Sequence, residues 1–93
     1  MTNKIRVRVV LTGRVQGVFF RGTARDVAIG LKVNGWVKNR WDRTVELVIE
    51  GEEQAVGKMV SWCRQGPAGA LVTGITVTKE PFEGTFQTFK VSY

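Results

Sequence analysis

Residues 5–33, IRVRVVLTGRVQGVFFRGTARDVAIGLKV, change their apolar spacing once, and this change indicates the fold. Over residues 5–12 apolar side chains alternate with polar ones, which is typical of a strand with one buried face. Residues 13–17 interrupt the alternation with two glycines and predict a loop. Over about residues 22–33 the apolar side chains take the spacing of one helix face, at Ala24, Val27, Ala28 and Leu31. The segment predicts a strand, a loop and a helix, with Asn34-Gly35 as the helix stop.

The same two spacings organise the rest of the chain. They predict a strand at 36–39, a turn at 40–43, a strand at 45–50, a helix that opens at Gly51-Glu52-Glu53 and ends at Gly66-Pro67, a strand at 71–79 and a short last strand at 88–93. This βαββαβ order is the ferredoxin-like plan. We therefore expect an α+β fold with two helices on one face of a mostly antiparallel sheet and a short extra C-terminal strand. The length of 93 residues predicts a single domain, 1–93.

Composition removes most of the usual catalytic groups. The chain has no histidine and one cysteine, Cys63. Ser-His-Asp and Cys-His arrangements, His-ligated metals and an internal disulfide are therefore excluded. We expect no metal and no cofactor, and we expect Cys63 to be a small core residue. Catalysis would have to use Arg, Lys, Asn, carboxylates, hydroxyls or backbone amides.

Charge is unevenly distributed along the chain. The net charge is +6, and residues 1–43 carry ten basic and two acidic side chains. A basic half favours an anionic partner, although a small basic protein can also carry such charge simply for solubility. The first residues alternate like a strand, which predicts no targeting segment, and no apolar run reaches the roughly 18 residues of a membrane span. With one unpaired cysteine, we expect a cytoplasmic protein that contacts no membrane.

The loop before the first helix is a candidate anion site. Backbone N–H groups at a helix start have no intrahelical partner, and the helix dipole is positive there. Gly13 and Gly17 allow the backbone to approach a ligand without a Cβ in the way. Arg21, where the loop becomes the helix, has a guanidinium suited to two parallel hydrogen bonds with a phosphate. The spacing alone is also consistent with an ordinary turn and a solvated arginine.

Two motifs resemble those of the acylphosphatase family. Residues 13–21, GRVQGVFFR, closely resemble its first signature, G-x-V-Q-G-V-x-[FY]-R. Residues 35–39, GWVKN, resemble the start of its second signature. The similarity extends over nearly the whole chain, at Val45, Gly51, Gly66-Pro67-Ala68 and Phe89-Lys90-Val91-Ser92-Tyr93.

The resemblance implies hydrolysis of an acyl phosphate, a small molecule, to a carboxylate and inorganic phosphate. The family's phosphate-binding arginine falls on Arg21, and its water-orienting asparagine falls on Asn39. The backbone amides that cradle the phosphate fall on Val15, Gln16, Gly17, Val18, Phe19 and Phe20. We expect a monomer that binds no nucleic acid.

One position departs from the family pattern. Arg43 stands four residues after Asn39, where the family usually has glycine. A positive φ would cost an arginine of order 1 kcal/mol. We therefore expect the turn to adopt a different shape.

Two other functions stay open on the sequence. One is a phosphate-binding module without catalysis, which the presence of both Arg21 and Asn39 disfavours. The other is a basic ferredoxin-like domain that binds RNA, but the chain lacks the [KR]-G-[FY]-[GA]-F-V-x-[FY] strand of such domains.

Outside the motifs we expect ordinary roles. Trp41 falls in the 40–43 turn and is expected to be exposed. Arg6 and Arg8 are expected to be solvated, and Glu50 is expected to be one of several charges at a helix start. Core or edge packing is expected for the other aromatic side chains Phe19, Phe20, Trp36, Trp62, Phe82, Phe86 and Phe89.

Overall fold

The computed structural model describes residues 3–93, which form five strands and two helices. Their bounds are β1 Lys4–Arg14, α1 Phe20–Leu31, β2 Asn34–Asn39, β3 Val45–Glu52, α2 Glu53–Gln65, β4 Leu71–Glu80 and β5 Phe89–Ser92. The strands form one sheet in the order β4-β1-β3-β2-β5. Its strand pairs are antiparallel apart from β2 with β5, which is parallel. The predicted ferredoxin-like α+β fold with a short extra strand is confirmed.

Alternation along the central strands buries one face of the sheet under both helices. On β1, Val7, Val9 and Leu11 are buried, and Leu47 of β3 lies opposite Val9 in the pairing register. Full burial of each such side chain contributes about 1.5–3 kcal/mol. The helices add their own buried residues to the same core at Phe20, Ala24, Ala28, Val56, Met59 and Cys63. The predicted core position of Cys63 is confirmed.

The opposite face of the sheet carries ion pairs. Arg6 Nε lies 3.0 Å from Glu80 Oε1, and Arg8 Nε lies 2.8 Å from Glu80 Oε2. Arg8 also pairs with Glu46. These contacts hold the pKa of Glu80 below its ordinary value, mainly through the hydrogen bond from Arg8 and then through that from Arg6. The expectation that both arginines are solvated was wrong, because strand pairing places them beside acidic residues of β3 and β4.

Glu50 belongs to the same face and not to a helix start. Its side chain is 3% exposed. The carboxylate accepts hydrogen bonds from the backbone N–H groups of Glu83, at 2.9 Å, and Gly84, at 3.2 Å. Arg6 Nη1 lies 3.5 Å from the same carboxylate. The contacts fasten residues 81–88, which connect β4 to β5, onto the sheet.

The first helix ends earlier than predicted. Lys32 follows α1 with a left-handed φ of 61°. The Val33 N–H then donates to the carbonyl oxygen of Ala28 at 3.1 Å, which closes the helix end. Asn34-Gly35 is therefore the start of β2. The prediction of a helix stop there was wrong, because Gly35 serves a close strand contact: a Cβ on it would lie 1.8 Å from the carbonyl oxygen of Val48.

The third strand runs further than predicted. Gly51 pairs with Ile5 and Glu52 pairs with Lys4, so both belong to β3, and α2 begins at Glu53. Strand pairing overrides the local preference of consecutive acids for a helix start. Across the described residues, neither helix has the length and apolar character needed to cross a membrane.

Candidate active site

The loop between β1 and α1 bends sharply into the helix. Gly17 has a φ of 76°, and Phe19, the N-cap of α1, has a φ of 58°. This left-handed conformation costs a residue other than glycine about 1–2 kcal/mol. The N-cap makes no side-chain hydrogen bond, and the first turn of α1 contains no acidic residue. Its first N–H groups therefore lack intrahelical acceptors and suit an anionic ligand.

Arg21 lies in the first turn of α1 and lines a cleft of about 320 Å³. Its guanidinium carbon is 4.9 Å from the centroid of the Tyr93 ring, a cation–π contact. Arg25 is the other charged residue that lines the cleft in the part of the chain that the structure describes. Positive charge and the positive end of the helix dipole thus meet at this cleft.

Asn39 ends β2 and lines the same cleft as Arg21. Its Oδ1 is buried and has no hydrogen-bond partner within residues 3–93. A buried acceptor without a partner costs about 1–3 kcal/mol. This oxygen is therefore suited to a donor supplied by water or a ligand. The two candidate catalytic residues of the sequence are brought to one cleft.

The six residues of the predicted phosphate cradle divide between this cleft and its surroundings. Those that line the cleft are Val15, Gly17, Phe19 and Phe20. Gln16 lines an adjoining cavity of about 540 Å³, which Arg21 and Asn39 also line. Val18 is half-buried and packs against the hydrophobic core.

Gln16 makes contacts that the sequence does not indicate. Its side-chain Nε2 donates hydrogen bonds to the carbonyl oxygens of Arg40 and Thr44, each at 2.9 Å. The bonds tie the loop to the β2–β3 turn, immediately after Asn39. Such a bridge between distant segments has no periodic signature, so sequence reasoning placed Gln16 in the cradle by its backbone alone.

The β2–β3 turn has a positive φ at Arg43, the position where the family resemblance implies glycine. Arg43 has a φ of 72°, so the prediction of a different turn shape was wrong. Hydrogen bonds across the turn maintain it: Arg43 N–H donates to Arg40 O at 3.1 Å, and Arg40 N–H donates to Thr44 O at 2.9 Å. Thr44 also donates its Oγ1–H to Asp42 Oδ1 at 2.6 Å. This bond is the main reason that the pKa of Asp42 is lowered.

Three aromatic side chains stand exposed around the site. Phe19 is 88% exposed, which makes the expectation of core or edge packing wrong for this residue. Trp41 is 93% exposed in the turn, as predicted, and Tyr93 is 98% exposed. The prediction that Tyr93 belongs to the last strand was wrong, since β5 ends at Ser92, and the contact of Tyr93 with Arg21 was missed. A sequence gives no distance between a C-terminal residue and a helix start, so no signal marks this pair.

Comparison with known proteins identifies the family. The acylphosphatase family profile matches residues 7–91. The chain belongs to the acylphosphatase family. Among curated relatives, an acylphosphatase of Pelotomaculum thermopropionicum is 45% identical over 91 residues, which cover 98% of this chain and 99% of the relative.

Solved acylphosphatases share the fold. The structure of an acylphosphatase from Coxiella burnetii has a TM-score of 0.92 and 36% identity, covering 97% of this chain and 94% of that one. The crystal structure of acylphosphatase from Bacillus subtilis also has a TM-score of 0.92, with 37% identity over 96% of this chain and 99% of that one. The Arg43 departure from the family's usual glycine therefore leaves the acylphosphatase fold unchanged.

Proposed function

We propose that this chain hydrolyses acyl phosphates to a carboxylate and inorganic phosphate. In this proposal Arg21 and the amides of residues 15–20 bind the phosphoryl group, and Asn39 holds the attacking water. Membership of the acylphosphatase family supports the reaction. The observation that supports the residue roles is the cleft that Arg21 shares with the unpartnered Oδ1 of Asn39.

The leaving group explains how a chain without histidine can perform this reaction. An acyl phosphate is a mixed anhydride, and its leaving carboxylate has a pKa of about 4–5, like a side-chain carboxyl. It departs without first being protonated. The site therefore needs no general acid, and the absence of histidine from the sequence is no obstacle.

Phosphoryl transfer depends mainly on charge and position. The guanidinium of Arg21 presents a planar pair of N–H donors to two phosphoryl oxygens. The N–H groups at the start of α1 complete the cradle. Both sets of donors stabilise the charge that spreads over the phosphoryl oxygens in the transition state.

Asn39 orients the nucleophile without acting as a base. Its amide does not titrate, but Oδ1 accepts a hydrogen bond from water. The water attacks phosphorus in line with the leaving oxygen, and its proton passes to a phosphoryl oxygen or to solvent. The P–O bond to the carboxylate breaks as the new P–O bond forms, and no phosphoenzyme intermediate arises. Hydrolysis in ¹⁸O water should label phosphate. Label found only in the carboxylate would contradict attack at phosphorus.

We also propose that residues 1–93 act as one domain, as a cytoplasmic monomer without cofactor or metal and without a nucleic-acid partner. The unpaired Cys63 supports the cytoplasmic location. A carboxylate leaving group that departs without protonation supports a reaction without cofactor or metal. Sedimentation velocity at assay concentration should give the mass of a single chain. A larger mass would contradict the monomer.

The experiment that tests the function compares benzoyl phosphate hydrolysis by the wild type, Asn39→Ala and Arg21→Ala. Asn39→Ala should lose about a hundredfold in kcat, because the water loses its position, and should still be inhibited by inorganic phosphate. Arg21→Ala should lose both turnover and phosphate inhibition. Asn34→Ala, which removes an amide from the other end of β2, is the matched control and should keep its activity. A wild type that binds phosphate but does not turn over would instead be a silent binding module.

A further inference from the structure

Of the four exposed aromatic side chains among the described residues, three line the spaces around the candidate active site, and Phe82 lies elsewhere. Phe19, Trp41 and Tyr93 are 88%, 93% and 98% exposed, more than any other large hydrophobic residue described. They come from the N-cap of α1, the β2–β3 turn and the residue that follows β5, three separate parts of the fold. We call these three residues the aromatic rim.

The aromatic rim borders the phosphate site on two sides. Phe19 and Tyr93 line the 320 Å³ cleft that contains Arg21 and Asn39. Trp41 and Tyr93 line a second cavity, of about 420 Å³, together with Asn39 and the charged residues Lys38, Arg40 and Glu46. Asn39 and Tyr93 therefore belong to both spaces. A substrate that reaches Arg21 and Asn39 through either of these two spaces places the rest of its body beside these rings. The 540 Å³ cavity, which Arg21 and Asn39 also line, contains none of the three rings.

The chemistry of the rim favours a flat apolar group. An exposed ring offers a face for stacking, and aromatic pairs gain from offset or edge-to-face contact beyond the area they bury. The Tyr93 ring already contacts one planar group, the charged guanidinium of Arg21, through a cation–π contact. Exposed apolar residues are ordinary when they are scattered, but a cluster around a cleft marks a binding surface.

We infer that the aromatic rim binds the acyl half of the substrate and favours acyl phosphates with an aromatic acyl group. The inference rests on the proposed function, since it assigns the part of the substrate that the phosphate cradle does not hold. Trp41 is its most specific member, because it lies outside the residues proposed to bind phosphate or water.

The test measures kcat/KM for benzoyl phosphate and for acetyl phosphate in the wild type, Trp41→Ala and Trp41→Phe. Trp41→Ala should lose about fivefold for benzoyl phosphate while its value for acetyl phosphate stays within about twofold. Trp41→Phe should recover most of the lost activity, because it restores a ring. Because each variant is compared with the wild type, the different intrinsic reactivities of the two substrates cancel. Inhibition by inorganic phosphate should be the same in all three proteins.

Phe82→Ala is the matched control, since Phe82 is a partly exposed aromatic residue that lines a cavity without Arg21 or Asn39. It should leave the ratio of the two kcat/KM values unchanged. Equal ratios in wild type, Trp41→Ala and Trp41→Phe would overturn the inference and leave the proposed function standing. A wild type inactive on both substrates would overturn both.

A second copy of the chain is the other occupant to be tested. Sedimentation equilibrium of the wild type and Trp41→Ala should show the same mass. A wild-type dimer that Trp41→Ala dissociates would make the rim a contact between copies, and that outcome would overturn the substrate assignment.

Discussion

Arg43 shows how a single residue can hold a conformation that its side chain disfavours. Its φ of 72° is kept by turn hydrogen bonds from Arg43 and Arg40, and Gln16 anchors the same turn through its side chain. Arg43→Gly should therefore stabilise the protein by about 0.5–1 kcal/mol, since relief of the left-handed strain outweighs the extra freedom of glycine in the unfolded chain. Urea denaturation of wild type and variant measures the difference.

A glycine placed where φ is not positive provides the control for this prediction. Gln87 is exposed in the 81–88 segment and is not among the positive-φ residues. Gln87→Gly should lose stability, because only the entropy of the unfolded chain changes there. If Arg43→Gly and Gln87→Gly change the free energy of unfolding equally, the turn is not strained at Arg43.

A substitution at Arg21 can test whether phosphate binding depends on the planar geometry of the guanidinium or only on its charge. Arg21→Lys keeps the positive charge but loses the planar pair of donors. It should weaken phosphate inhibition about tenfold, the loss expected for one charge-assisted hydrogen bond, and should lower kcat/KM for benzoyl phosphate at least as much. Arg64→Lys in the last turn of α2 is the control and should have no effect. If Arg21→Lys behaves like the wild type, charge alone accounts for the role of Arg21.

At the level of elements, the sequence predicts strands and helices that have a local hydrophobic period. It misses features that depend on contacts between residues distant in the chain. The alternation of β1 and the helical spacing of α1 depend on local period, so both elements were predicted. Their bounds were not: β1 runs on through Arg14, into the predicted loop, and α1 spans Phe20–Leu31. The end of β3 was missed because pairing of Gly51 with Ile5 depends on a distant strand. Within the candidate site, motifs identified Arg21 and Asn39, whereas Tyr93 and the side-chain role of Gln16 arise only from tertiary contacts.

The ion pairs between strands predict how stability depends on pH. The pKa of Glu80 is lowered from its ordinary value of 4.5 by hydrogen bonds from Arg8 and Arg6. A carboxyl with a lower pKa in the folded state contributes stability above its unfolded pKa. That contribution is lost as the pH falls from about 4.5 through the folded pKa. The urea midpoint of the wild type should therefore drop in this range.

The variant Glu80→Gln tests whether Glu80, and not another acidic residue, causes this pH dependence of stability. The variant should be less stable than the wild type at neutral pH, and the gap should narrow as the pH falls below about 4.5. Glu53→Gln, a change at an exposed residue of α2, is the control and should keep the wild-type pH profile. A gap between Glu80→Gln and the wild type that stays constant down to about pH 3 would exclude Glu80 as the source.

At the scale of the whole molecule, global unfolding can be followed through the reactivity of its one thiol, Cys63. Cys63 lies in the core between α2 and the sheet, and burial raises its pKa to about 12. Only a thiolate attacks a disulfide reagent, so the folded chain should react very slowly at about pH 8. Labelling should proceed through global unfolding, and its rate should rise with urea along the slope of the equilibrium transition. A rate that does not change in low urea would indicate a local opening around α2 instead.

The same thiol also reports on phosphate binding, because its exposure depends on unfolding of the chain. A ligand that binds only the folded state stabilises it by RT ln(1 + [L]/Kd), which is about 2.7 kcal/mol at a hundredfold excess over Kd. Inorganic phosphate at that excess should slow the labelling of Cys63 about a hundredfold in the wild type and in Asn39→Ala, because both keep the cradle. Arg21→Ala should show no such protection. Protection of equal size in Arg21→Ala would mean that phosphate binds elsewhere. Any ligand that prefers the folded chain slows the labelling of Cys63, so the Arg21→Ala variant is needed to show that phosphate binds at Arg21.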